Sequence, residues 1–291
     1  RASIRPECGG CVDEVSLVPA GESGGAIDVL SPQPFAERSE DCEPGEFQGR
    51  LLAPFSDRIP DGRYRFDGKE YTLPINDSDN GDAIHGLLYR QPMEILSNED
   101  SRLELRFELT PEAESGYPFA AAFRVCYRLR DESLRVTLEA RSLDHRRIPI
   151  GLGWHPYLTL PGVELVDELE LTLPAEQFVE VDDTLIPTGS LRDLPGTPYD
   201  FRMSRPIGAV ELDLGFPLRG ERIALTDGSR TMELHCGGAF RYCQLFVPPG
   251  RRSIAVEPLS AATNAFNTPE LGLHLLAPGE ALIGECELSL R

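Results

Sequence analysis

The sequence has 291 residues, 41% of them hydrophobic and 26% charged, a globular composition able to bury a core without external staples. Its 48 Asp and Glu against 28 Lys and Arg give a formal charge of −20, which counts against nucleic acid or an anionic membrane as partner, since both need a cationic footprint. No apolar run approaches the ~18 residues of a spanning helix, and no cationic start leads into an apolar signal core.

The first feature along the chain is Cys8-Gly9-Gly10-Cys11. A C-x-x-C invites a zinc or redox reading, but no second Cys or His pair stands at a matching spacing, so the two read as small buried residues. With Cys42, Cys126, Cys236, Cys243 and Cys286 the cysteines number seven. An odd, scattered set in a chain of this size reads as reduced thiols of a cytosolic protein, not as a disulfide framework. The stretch from Gln33 to Gly49 is acidic, carries Pro34 and Pro44, and reads as a surface loop.

Beyond it the dominant period is two. Asp67-Gly68 separates Arg63–Phe66 from Lys69–Leu73 and suits the positive φ angles of a two-residue hairpin. Leu103, Leu105, Phe107 and Leu109 alternate with charged residues, as do Phe123, Val125, Tyr127 and Leu129. Asp131-Glu132-Ser133 connects that run to Leu134, Val136, Leu138 and Ala140. Each run has one apolar and one wetted face, the pattern of antiparallel strands buried on one side. The 25 prolines and 27 glycines are spread throughout, and convincing helical periodicity is absent. The expected fold is all-β, a large antiparallel sandwich formed by residues 1–291 as a single domain.

Five histidines can be judged singly. His145 lies in a charged turn, His235 in a strand before Cys236-Gly237-Gly238, and His274 among leucines near the end; all three read as structural or solvated. His85 closes the polar run Asn76–Asp82 and precedes Gly86, a residue that permits close approach of a ligand. His155 follows Gly153 and Trp154 and is stopped by Pro156. In an extended segment it shares a glycine-cleared face with Gly153, while Trp154 points the other way. Ser253–Val256 reads as a buried strand that Glu257-Pro258 ends, and the small polar residues after it suit a loop lining a cavity.

Arg58, His85, His155 and Glu257, taken in order with their flanks, resemble the aldose 1-epimerase (mutarotase) family, with its galactose-mutarotase-like β-supersandwich. The stretches that carry the resemblance are Gly49–Ile59, Ile84-His85-Gly86, His155-Pro156-Tyr157-Leu158, and Glu257-Pro258 with Asn264-Ala265-Phe266-Asn267. Ile4–Val12 resembles the family's first strand, which places the C-x-x-C in sheet. Asp57 stands where many relatives have Asn, Leu87 replaces a Gly, and Leu158 replaces a Phe, so the branch is divergent and its sugar is not assumed to be galactose or glucose.

The resemblance implies interconversion of the α and β anomers of a free aldose by two proton handlers, with neither metal nor nucleotide. It makes Glu257 the base and His155 the acid, gives His85 and Arg58 contacts to the sugar, and assigns a hydroxyl-binding aspartate to Asp213 or, in competition, Asp200. An ionised Glu257 is expected to keep His155 protonated near neutrality. The implied partner is a monosaccharide, bound by a monomer or homodimer. Within the fold the rival is a hexose-6-phosphate 1-epimerase, whose phosphate Arg146-Arg147 or Arg251-Arg252 would hold. A non-catalytic sugar-binding module is the rival of another class.

Overall fold

The computed structural model describes residues 1–21, 25–30, 42, 46–112 and 116–291. The acidic stretch expected as a loop between Gln33 and Gly49 lies outside the described residues apart from Cys42 and the four positions from Glu46 to Gly49.

The alternating runs become one nine-stranded antiparallel sheet. Its order across the sheet is Arg205–Pro206, Glu170–Thr172, Arg222–Thr226, Thr231–Gly238, Ala281–Leu290, Ser133–Ser142, Ala121–Leu129, Arg102–Leu109 and Glu94–Glu99. Register follows the pattern: Val125 faces Leu138 on one side and Leu105 on the other, and Phe123 faces Ala140. These residues are buried, whereas Arg124 and Arg135 on the opposite face pair with Glu104 and Glu287. A one-residue slip would move the whole apolar set into water, so the register is firmly specified. The Asp67-Gly68 hairpin forms as expected, with φ of 48° and 75° at its two turn residues.

A second, six-stranded sheet carries the strands Asp213–Pro217, Tyr242–Phe246, Ile254–Leu259, Gly153–Trp154 and Leu51–Leu52 in that order, with Tyr157–Leu158 also paired to Ile254–Leu259. One of its faces contributes Leu214, Phe216, Leu245, Ile254 and Val256 to a hydrophobic cluster that also takes in Leu105, Phe123, Val125 and Leu138 of the large sheet. The two sheets thus form a single all-β sandwich around a shared core, and period two turns the polar residues between those apolar ones to the other side of the smaller sheet.

Two expectations need correction. Glu257 does not end its strand; Ile254–Leu259 runs through it and through Pro258. The proline is tolerated because Val256 N points toward Pro156 O at 3.2 Å, so the Pro258 nitrogen two residues on faces the same side, where the break at His155-Pro156 asks for no ladder donor. The cysteines are not all reduced: Cys8 and Cys42 form a disulfide across 34 positions, and five thiols remain. Cys8 ends the short turn Pro6–Cys8 rather than a strand, while Cys11 opens the strand Cys11–Leu17 and donates to Gln48 O at 3.3 Å. The turn brings Cys8 out to meet Cys42, which spacing in sequence does not reveal.

Candidate active site

The wetted face of the six-stranded sheet forms the floor of a cavity of about 420 Å³, a size usual for small-molecule sites. Glu257 lies in mid-strand, directly opposite Gln244 on the adjacent strand, and Asp213 follows on the strand beyond. Part of the wall comes from a separate two-stranded ladder. Arg58–Ile59 pairs with Ala83–Ile84, which sets Arg58 opposite Ile84 and next to His85. His85 has a φ of 61° and is held by reciprocal contacts with Asp57: His85 N–H donates to Asp57 O, and Asp57 N–H donates to His85 Nδ1, both at 3.2 Å.

His155 is fixed by its main chain. Gly49 N–H donates to His155 O at 2.8 Å, and His155 N–H donates to Arg50 O at 3.0 Å. Gly49 can take part because it has no side chain; at φ 70° a Cβ would stand 2.0 Å from Val12 O. The imidazole stacks on Tyr157, with centroids 5.0 Å apart and planes at 17°, and meets the edge of His85 at 5.0 Å.

The structure brings Arg58, His85, His155, Asp213 and Glu257 to one cavity. His155 Nε2 lies 3.4 Å from Glu257 Oε1, and both residues are almost wholly buried. Of the two competing aspartates only Asp213 lines the cavity; Asp200 pairs with Arg202 at 2.9 Å elsewhere. Arg58 reaches Asp77 through Nε at 3.3 Å, and Asp57 and Asp213 through Nη1 at 3.4 and 3.9 Å. Burial works against its charge, but these three carboxylates raise its proton affinity. The arginine pairs proposed for a phosphate do not line the cavity: Arg146 lies over the Phe119 ring, and Arg251 is bound to Asp167 and to two carbonyls.

Sequence reasoning passed over Gln244, Phe47, Tyr157 and Phe246, which also line the cavity. For Gln244 and Phe246 a signal existed: they alternate with the core residues Cys243 and Leu245, so a buried strand offers a polar and an aromatic group on its second face.

Burial sets the proton affinities. It pushes the His85 imidazole down to about 3, with Arg58 adding to the effect, so His85 is neutral. Since Nδ1 accepts from Asp57, the His85 proton sits on Nε2, which becomes a donor. Burial likewise lowers His155 and raises Glu257, against the expectation that an ionised Glu257 would hold His155 protonated. The proton count of the pair is unaffected, because acid plus neutral imidazole and carboxylate plus imidazolium each hold one proton between the two groups. Asp213 is pushed up to about 6 by burial and then by Asp57.

Ligand atoms of His85, His155 and Glu257 lie within 4.8 Å of one another, close enough to surround a cation. The donor set does not suit one. A metal on Nε2 of His85 would need that nitrogen stripped of its proton, while Nδ1 already accepts a backbone N–H and offers no compensating proton.

The sequence model of the aldose 1-epimerase family matches residues 8–289. The chain belongs to the aldose 1-epimerase family. Within the family it is similar to the uncharacterized protein YihR of Escherichia coli, with 32% identity over 233 residues covering 78% of this chain and 73% of that protein. It is also similar to the galactose mutarotase of Rattus norvegicus, with 33% identity over 196 residues; these are 64% of this chain but only 53% of the mutarotase, so the match spans about half the rat protein. In fold, this family member is similar to the GalM/aldose epimerase homologue from C. elegans, with a TM-score of 0.87 and coverage of 100% of this chain and 95% of the other. At 21% identity that likeness concerns the architecture alone. No helix among the described residues is long and apolar enough to cross a membrane.

Proposed function

We propose that the protein is an aldose 1-epimerase that opens and recloses the ring of a free monosaccharide by proton transfer between Glu257 and His155. The observation that carries this reading is their 3.4 Å contact at the floor of a monosaccharide-sized cavity. Ring opening needs a base for the anomeric hydroxyl and an acid for the ring oxygen, and a pair sharing one proton provides both. Sugar hydroxyls entering the cavity supply hydrogen bonds to the carboxylate, which favours its ionised form and moves the proton to His155. Glu257 then removes the anomeric proton while His155 protonates the ring oxygen. The ring opens, rotation about C1–C2 presents the other carbonyl face, and the same groups with roles exchanged close it. Each proton handler contributes on the order of 10²–10⁴ in rate.

In this reading His85 Nε2–H donates to the sugar near the reacting oxygens, and Arg58 and Asp213 hold hydroxyls. No cofactor is called for by the chemistry. Polarimetric mutarotation of freshly dissolved pentoses and hexoses tests it: the protein should speed the decay of optical rotation. Sugar binding with no faster decay would instead support a non-catalytic sugar-binding module.

A further inference from the structure

The charge of the cavity bears on which sugars it accepts. Its lining carries six carboxylates, those of Glu46, Asp57, Asp77, Asp79, Asp213 and Glu257, against the single guanidinium of Arg58. That guanidinium is shared among three of the carboxylates, so among the described lining residues an incoming anion finds no uncommitted cation. Arg146 and Arg251 are engaged elsewhere, and neither Arg147 nor Arg252 lines the cavity. At the mouth Glu46 and Asp79 are exposed. Deeper in, Glu257 Oε2 is buried with no hydrogen-bond partner within the protein, so the recess offers a ligand a carboxylate oxygen that remains unused.

Resting on the epimerase reading, we propose that the cavity selects its sugar by charge, rejecting aldoses that carry a phosphate or carboxylate and favouring those that carry an ammonium group, the amino sugars. An anionic substituent would approach several like charges across low-dielectric walls that focus their field. An ammonium brings three donors and no acceptor, and can meet the mouth carboxylates without displacing Arg58 from its partners. The −20 charge of the whole chain acts in the same direction on approach.

The test compares anomer exchange, followed by magnetisation-transfer NMR, for 6-amino-6-deoxyglucose, glucose and glucose 6-phosphate at a mildly acidic pH where the amine is protonated. The expected kcat/KM order is amino sugar above glucose, with the phosphate at least about ten-fold below glucose at low salt. Raising the salt to about 0.3 M should draw the three values together. The double variant Glu46→Gln, Asp79→Asn should lower the amino-sugar to glucose ratio at least about three-fold. Turnover of glucose 6-phosphate within about three-fold of glucose would overturn the proposal while leaving the epimerase reading intact, as would an amino-sugar preference that is absent or indifferent to salt and to the double variant. If no sugar is epimerised, the epimerase reading fails. The charge order is then read from dissociation constants, and equal or tighter binding of the phosphate overturns the selectivity independently.

Discussion

Gln244 stands directly opposite Glu257 across a strand pair, yet its side-chain amide reaches along the sheet to donate to Asp213 Oδ1 at 2.7 Å. The amide therefore favours an ionised Asp213, opposing the burial that pushes this carboxyl up to about 6. A carboxyl whose affinity for protons rises on folding loses stability as pH climbs from 3.8 through about 6, because the folded state must release a proton the unfolded chain has already lost. Asp213→Asn should thus be stabilised relative to wild type at neutral pH compared with pH 4, by roughly 1–2 kcal/mol since the side chain is partly exposed. Thermal melts at both pH values check this, and kcat/KM for the sugar should fall.

The proton-transfer pair can be tested by near-isosteric replacement. Glu257→Gln and His155→Asn should each lower kcat at least ~100-fold while sugar affinity stays within several-fold. Near-native turnover in either variant would show that the role has been assigned to the wrong residue.

His85 gives a stability signature of opposite sign. Its folded proton affinity lies far below the ordinary 6.5, so the protein loses stability as pH falls from 6.5 toward about 3. Between pH 6.5 and 4.5 wild type should lose roughly 2–3 kcal/mol more than His85→Asn, measured by denaturant titration of both proteins. Equal losses would mean that the imidazole is hydrated and not buried.

Arg58→Met should leave Asp57, Asp77 and Asp213 without their shared cation. Repulsion among them should raise the Asp213 titration above about 6, visible as a shift in the pH dependence of KM, together with a loss of stability.

The Cys8–Cys42 link predicts five titratable thiols in denaturant without reductant and seven after reduction. Cys42→Ser should cost about 3–4 kcal/mol of stability, the loop-closure entropy of a 34-position separation. Seven thiols before reduction would remove the bridge.

The sandwich was legible in the sequence because a half-buried strand must alternate, and Leu103–Leu109, Phe123–Leu129 and Leu134–Ala140 do so without interruption. Arg58, His85, His155 and Glu257 were legible as a set through the resemblance of their flanks to the aldose 1-epimerase family; taken singly, each also fitted a packed or rim residue. Gln244 was legible only as a polar residue on the second face of a buried strand; alternation does not say whether that face meets solvent, a neighbour or a cleft. The disulfide escaped for a different reason: pairing among seven cysteines depends on where the chain returns to itself, and nothing local records that Pro6–Cys8 turns toward Cys42. The termination expected at Glu257-Pro258 failed because a proline breaks a strand only where a neighbour needs its N–H.

His155 is held through its own peptide groups, by Gly49 on one side and Arg50 on the other. Neither contact involves a side chain, so mutations that rebuild the surrounding walls leave the main chain at His155 where it is. In the proposed epimerase, residues lining the walls can therefore change, and with them the sugar that fits, without moving the main chain from which the acid projects.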